Sequence, residues 1–403
     1  MIWDVIVIGG GAAGFFGAIN TKMNNDALNV MILEKGNHFL SKVKISGGGR
    51  CNVTHACFEP KELVKNYPRG AKELIGPFHQ FQPGDVFDWF EQKNVPLKIE
   101  DDNRVFPEKN TSQAILDCFF EACKQYNITL KLQSGIKKIA IKEGLFELEG
   151  EKETLMAKKI LITTGSSPQF WNVLEGQKID LVPPVPSLFT FNIKNDILAK
   201  LPGVSVPNAM VKVPSLKLKS NGPLLITHWG LSGPAILKMS AWGAVDLATV
   251  KYQFEVVVNW CPSYDKQELI EAFKELRETS KKQIKNTPLF DLPTRLWEQF
   301  VASLFGDDKR SWAEMGNKHM EKLASLISEN RMLVNGKSTF KDEFVTAGGV
   351  ELKEVDFKTM QLRKIPNAYV AGEVINVDAI TGGFNFQAAW TTSWIAAKDM
   401  ARK

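Results

Sequence analysis

The chain has 403 residues with a formal charge of +5, 44% hydrophobic residues and 24% charged ones, the proportions of a globular protein with room for two or three domains. So small a charge makes no general case for a nucleic-acid partner, and no apolar run reaches the ~20 residues that span a bilayer. Five cysteines without a Cys-x-x-Cys pair argue against a disulfide framework and against structural zinc, and fit a reducing compartment. MIWDVIVIGGGAAG also lacks the basic start of a secretion signal, so the expectation is a cytoplasmic protein with no membrane partner and no metal.

The first element is a short continuous apolar run, Val5 to Ile8, which reads as a strand of a parallel sheet buried on both faces. Gly9, Gly11 and Gly14 then form Gly-x-Gly-x-x-Gly, and residues from Ala12 to about Met23 carry helical periodicity. Gly9 lets the strand turn into the helix, Gly11 lets a pyrophosphate approach the backbone, and Gly14 lets helix and sheet pack closely. The helix N-terminus offers free N–H groups to phosphate. Val30 to Leu33 reads as the next buried strand, ending at Glu34, 20 residues after Gly14. A carboxylate there accepts from an adenosine ribose and disfavours a 2′-phosphate, so the site suits FAD or NAD rather than NADP.

Ser46 to His55, SGGGRCNVTH, places three glycines before an arginine, without the Gly-Lys-Ser/Thr of a phosphate loop. Residues 52–159 read mostly as helices, with Asn103 to Pro107 as a strand end before one of them. Lys159 to Thr163 is a strand entering the turn Thr164-Gly165, and the proline cluster from Pro183 to Pro186 reads as a linker. Beyond it, 209–213, 216–218, 224–227 and 252–258 read as strands, and 266–330 as lysine-rich helices. The segment 344–349 returns to the nucleotide domain. Asn367 to Glu373 is another short strand, and residues from Asn385 to Lys403 form a terminal helix. The expected organisation is an α/β nucleotide-binding domain, 1–188 and 344–403, interrupted by an inserted domain, 189–343. The insert is β-rich over 189–262 and 331–343 and helical over 263–330.

VIVIGGGAAG, LEK, KISGGGRCNVTH, NRVFP, THWGLSGPA, FVTAGGV and AGEVINVDAITGGFNFQAAW together resemble the bacterial NAD(P)/FAD-dependent oxidoreductases of the BaiN type, a family that includes aminoacetone oxidase-like flavoproteins. The resemblance implies a glutathione-reductase-like FAD-binding Rossmann domain with an inserted β-rich domain and a helical subdomain. It implies that Gly9, Gly11, Ala13 and Gly14 meet the FAD pyrophosphate, and that Glu34 and Lys35 hold the ribose. Gly47, Gly48, Arg50 and Asn52 would line the flavin and its phosphate tail, and Thr164 and Gly165 a second cofactor-facing turn. Gly372, Glu373 and Asp378 would reach the ribityl chain. Gly383, Asn385, Phe386 and Gln387 would bring a helix N-terminus to the isoalloxazine ring, where a helix dipole favours the reduced anion. Two departures stand out: the region after Gly165 is short of glycine, and His55 replaces the family's usual asparagine.

No residue is singled out as catalytic, because flavin carries the electron chemistry. Cys51 lacks a resolving partner and reads as a packing residue. His228 sits in THWGLSGP, where Ser232 or Gly233 caps a helix opening at Pro234. Lys281, Lys282 and Lys285 read as a solvated face. The expected function is FAD-dependent oxidation or reduction of a small organic substrate. Only one Gly-x-Gly-x-x-Gly is present, so NAD(P)H would dock transiently as reductant. The alternatives are an amine oxidase using oxygen, an RNA-acting flavoprotein clamping RNA with its basic insert, and a non-catalytic redox sensor. Oligomeric state is left open.

Overall fold

The computed structural model describes residues 1–306, 309–338 and 345–402. The chain divides into two compact units, Met1–Val185 with Lys341–Lys403, and Pro186–Phe340.

The first unit is organised by a parallel sheet. Strand Ile2–Ile8 lies between Val30–Leu33 and the second half of Thr154–Ile162, with Val7 opposite both Ile32 and Leu161. Thr129–Lys131 continues the sheet on one side, and Ala368–Val370 on the other. Val5 to Ile8 and Val30 to Leu33 are buried throughout, as strands covered on both faces must be. Helix Ala12–Asn24 packs against the terminal helix Phe384–Met400. Phe16 lies 4.6 Å from Trp89 and 5.1 Å from Trp390, ring centre to ring centre. Each such aromatic pair contributes about 1 kcal/mol beyond its buried area.

The stretch expected to be mostly helical holds more strand than its composition announces. Ile136–Lys142, Leu145–Gly150 and the first half of Thr154–Ile162 form an antiparallel meander. Its hairpin turns at Glu143 and Gly144, both at positive φ, the signature of a tight primed turn. Ile139, Phe146 and Leu148 are buried while the alternating lysines and glutamates face out, a period-2 pattern hidden by its charge. Arg104–Pro107 is the middle strand of a small sheet with Thr54–His55 and Leu97–Ile99. The division between the two units falls within the proline cluster, as expected of a linker, but its conformation is that of a strand. Leu181–Ser187 is a strand of a two-stranded sheet with Val345–Val350, and Pro183 and Pro184 are exposed, where a missing N–H costs no ladder bond.

The second unit is a closed barrel of six strands, in the order Thr190–Ile193, Gly230–Ser232, Leu218–Thr227, Ser205–Val213, Gln253–Asn259 and Asn330–Ser338. Helices Lys266–Thr279, Thr294–Phe305 and Asn317–Ser328 form an excursion between the last two strands, which pair directly. Trp260, Trp297 and Trp312 are fully buried in this unit's core. Of residues 216–218, expected to be a strand, only Leu218 is in one; the other two turn the barrel's longest hairpin, with Pro214–Leu216 a 3-10 turn and Lys217 left-handed at φ 55°. Gly233 precedes helix Pro234–Trp242 with proline in its first turn. Among the described residues, no helix is long and apolar enough to cross a membrane.

Candidate cofactor site

The strand–turn–helix Ile2–Asn24 is shaped by absent side chains. A Cβ on Gly14 would collide with the carbonyl oxygen of Gly9, and one on Gly9 with the backbone of Thr163. These two glycines serve protein packing. Gly11 differs: no heavy atom lies within 4 Å of where its Cβ would be, and the helix that follows has no side-chain cap. Backbone N–H groups at a helix start facing open space are the cradle a pyrophosphate needs. Thr163 locks the turn, its Oγ1 donating to Gly9 O at 2.9 Å and Ile8 O at 3.2 Å. Sequence reasoning passed over Thr163 because only its neighbour belongs to the family motif.

Glu34, at the end of the second strand, accepts from Gly10 N at 2.9 Å with one oxygen and from Gly36 N at 2.7 Å with the other. The carboxylate is therefore held in place, with lone pairs left to accept from hydroxyls. Lys35 Nζ donates to Ser167 Oγ at 3.1 Å. Thr164 Oγ1 is buried without a partner, a cost that a bound polar group would relieve. Gly165 lies 3.6 Å, measured from its notional Cβ, from Glu373 Oε2. Glu373 also takes Lys42 at 2.6 Å and the Thr346 N–H at 3.1 Å. Lys42 carries no sequence signal, since its partner is 331 residues away. Gly372 abuts Ala13: its notional Cβ would stand 2.9 Å from that of Ala13. The structure thus brings together Gly9, Gly11, Ala13, Gly14, Glu34, Lys35, Thr164, Gly165, Gly372 and Glu373.

A second cluster forms where SGGGRCNVTH folds. The helix begun at Ser41 breaks at Ser46 (ψ 149°), and Gly47, Gly48 and Gly49 follow with φ of 58°, 67° and 80°. A left-handed run of this length is cheap only for glycine. Gly47 packs on Asn52 and Phe106, whereas Gly48 and Gly49 face open space. With its amide turned to the orientation that satisfies its neighbours, Asn52 donates to Thr54 O at 2.9 Å and Val105 O at 3.2 Å and accepts from Gly383 N at 3.0 Å. Gly383 opens the terminal helix against the Thr54 backbone. Thr54 Oγ1 donates to Gln387 at 2.5 Å, Gln387 to Thr391 at 3.0 Å, and Thr391 to Phe81 O at 2.8 Å. Gln387 is fully buried in this chain, so its amide fixes the helix start.

Other candidates have protein partners. Arg50 donates to Glu100 at 2.6 Å and lies 3.9 Å over the Phe106 ring. Asp378 is fully buried and takes Arg69 with both oxygens. Asn385 pins Ala379 N and O at 3.0 and 3.1 Å. Phe386 stacks on Trp390 at 5.4 Å. Cys51 is fully buried and its thiol is pushed up to about 12 by burial, which removes the thiolate from neutral-pH chemistry. His55 stacks on Phe384 at 4.5 Å. Its Nδ1 is buried without a partner, and burial lowers its pKa against the pull of Asp102.

The model of the HI0933-like protein Rossmann domain matches residues 3–399. The chain belongs to this HI0933-like family. The ribosomal RNA dihydrouridine synthase of Escherichia coli (strain K12) is 30% identical over 412 residues, covering 99% of this chain and 98% of that one. The 3-dehydro-bile acid delta(4,6)-reductase of Clostridium scindens is 22% identical over 422 residues, with 98% of each chain covered. Among solved structures, the 3-ketosteroid delta1-dehydrogenase of Sterolibacterium denitrificans shares the fold, with a TM-score of 0.52, 10% identity and 99% of both chains covered. The HI0933-like chain is thus an FAD-dependent oxidoreductase with a Rossmann-type cofactor domain. The open space at Gly11, Gly48 and Gly49, the orphaned Thr164 hydroxyl and the anchored Glu34 carboxylate fit that cofactor.

Proposed function

We propose that this protein reduces the C5=C6 bond of a uridine in ribosomal RNA, with NAD(P)H as the transiently bound reductant. The observation that carries the reading is end-to-end similarity, at 30% identity, to a ribosomal RNA dihydrouridine synthase. The chemistry of the C. scindens relative points the same way. Both names describe substrates whose carbon–carbon double bonds are conjugated to a carbonyl, so each takes a hydride at an electron-poor carbon of that conjugated system and a proton at the neighbouring carbon. The overall balance is uridine, NAD(P)H and a proton giving dihydrouridine and NAD(P)+.

FAD, when bound, supplies a two-electron hydride carrier. The chain's own part is to hold it. Gly11 and the following helix start receive the pyrophosphate, Glu34 and Lys35 the ribose, and Thr164 and Gly165 the adjoining turn. Gly47, Gly48 and Asn52 with Gly383 form the opposite jaw. The buried Thr54–Gln387–Thr391 chain holds the start of the terminal helix, whose N–H groups would stabilise negative charge on a reduced flavin. Arg50 and Asp378, already paired with Glu100 and Arg69, stiffen the walls.

This reading takes up the RNA-acting alternative in place of the small organic substrate expected first. Its test is nucleoside mass spectrometry of ribosomal RNA from parent and gene-deletion strains, followed by repair of the deletion-strain RNA with the yellow holoprotein and NADPH. Loss and restoration of dihydrouridine is the expected result. Unchanged dihydrouridine in the deletion strain overturns it. Rapid NADPH consumption with a 3-keto-4,6-diene bile acid but not with RNA would select the small-molecule reading that the BaiN-type resemblance supports.

A further inference from the structure

His55, the departure from the family pattern, has no part in the cradle described so far. It ends the short strand Thr54–His55 and pairs across to Arg104. Its ring lies nearly flat on Phe384, 4.5 Å between centres and 22° between planes. The Cβ position of Gly382 falls 2.9 Å from the Phe384 ring and 3.4 Å from His55 Cδ2. Gly383, between those two residues, opens the terminal helix against the Thr54 backbone. The imidazole is thus set against both neighbours of the residue at the helix start. Stacking alone does not require histidine. A phenylalanine would stack as well and bring no ring nitrogen to satisfy, yet His55 Nδ1 is buried without a partner.

The resting chain keeps this ring neutral. An imidazolium carries an N–H on both nitrogens, and Nδ1 has no acceptor. The carboxylate that draws a proton toward the ring, Asp102, is already bound to Arg104 at 2.6 Å, and burial outweighs its pull. On the side of the terminal helix, residues 379–387 have no ionisable side chain, and Asp378 just before them is taken by Arg69 with both oxygens. Tyr67, which donates to Phe384 O at 2.6 Å, is pushed well above its ordinary range by burial. Helix Pro83–Glu91 also packs on the strand and carries Asp85, Asp88 and Glu91. Asp85 accepts from Gln82 N at 2.7 Å, and Asp102, not these, is the charge that His55 feels.

Given the proposed placement of the flavin at this helix start, we infer that His55 is a proton-linked positioning residue: neutral beside the oxidised cofactor, it takes up one proton when the cofactor is reduced. Two electrons and one proton, delivered together as a hydride by NAD(P)H, leave one negative charge on the cofactor. A second proton, from solvent that reaches the half-buried ring, enters His55 and cancels that charge. A nearby anion favours the charged form of an imidazole, and in a half-buried site water screens the attraction only in part. When the substrate takes the hydride, His55 gives its proton up. Hydride and proton together are what saturation of one double bond consumes. Asparagine, the residue that the family pattern puts here, can hydrogen-bond but cannot store a proton.

The test is the midpoint potential of the FAD-loaded protein between about pH 5 and 8, where histidine titrates, read by equilibrium reduction against indicator dyes. One proton per two electrons gives a fixed slope of potential against pH. The second proton should double that slope between the oxidised-state and reduced-state pKa of His55, each pH unit being tenfold in proton activity and about 30 mV for a two-electron couple. His55→Asn should show the single slope throughout. In parallel, nuclear magnetic resonance of protein labelled at histidine Cε1 follows His55, one of five histidines, assigned by its loss in the variant. It should titrate below 6.5 with oxidised FAD, as burial dictates, and above 6.5 with reduced FAD. His55→Gln supplies the same readings should asparagine disturb folding. A doubled slope that survives in the variants, or one titration shared by both redox states, overturns the inference. A single slope in the wild type with FAD bound overturns the role of His55 alone, because no RNA enters the assay and the substrate is judged by dihydrouridine. A wild type that takes up no FAD overturns the cofactor placement with it.

Discussion

The two units spend their charged residues differently. Outside residues 186–340 the chain carries 30 basic and 30 acidic residues, and several are tied into long-range pairs: Arg50 with Glu100, Arg69 with Asp378, Lys42 with Glu373. The barrel unit is net basic and leaves lysines at its hairpin end without ion pairs among the described residues. In the proposed reading the first unit meets FAD mainly through backbone, which demands missing side chains at fixed places. The second carries its excess charge on side chains whose positions no backbone geometry dictates. A backbone cradle writes a motif, and a charged surface writes only a local composition.

The contrast is most exposed to test at the glycines. Gly14→Ala drives a Cβ into the Gly9 carbonyl and should destabilise the apoprotein by more than about 4 kcal/mol, measured by urea unfolding. Asp378→Ala leaves Arg69 without its carboxylate and should cost about 3 kcal/mol in the same assay. If Asp378 serves the cofactor alone, the apoprotein will instead keep its stability and lose only FAD affinity. Gly11→Ala enters open space. It should leave apoprotein stability within about 0.5 kcal/mol while weakening FAD at least about tenfold, some 1.4 kcal/mol. Wild-type FAD titration in that variant would break the cradle assignment.

Lys219→Glu turns the like-charged cross-strand pair with Lys212 into an opposite one and should stabilise the barrel unit by about 0.5 kcal/mol, read as a rise in its Tm. The smallest effect is at His55. Its folded-state pKa lies below the ordinary 6.5, so the unfolded chain binds the extra proton first. Stability should be full above pH 6.5 and decline as pH falls toward the folded-state value. His55→Asn should flatten that part of the Tm-against-pH curve, and an unchanged slope would remove His55 from the account.

These differences explain what could be read in advance. The α/β cofactor fold was legible because buried parallel strands and Gly9, Gly11 and Gly14 are local signals. The part of the meander over 136–158 was hidden because lysines and glutamates interrupt the alternation that Ile139, Phe146 and Leu148 set. The strand at Leu181–Ser187 was masked by prolines that an edge position tolerates. Within the candidate site, the partners of Arg50 and Asp378 lie 50 and 309 residues away, and no spacing rule reaches so far.

The terminal helix has a consequence in time. Thr391 bonds to Phe81, Gln387 to Thr54 and Trp390 to Val53, across 310, 333 and 337 residues, and Ala368–Val370 adds a strand to the sheet that Ile2–Ile8 began. Every strand of the barrel, by contrast, lies within Thr190–Ser338. On a translating ribosome, domains ordinarily fold in the order of their synthesis. Here the middle of the chain can close its barrel while the first 185 residues still wait for the last helix to emerge. The part made first is finished last, and until release its aromatic face around Phe16 has no Trp390 to cover it.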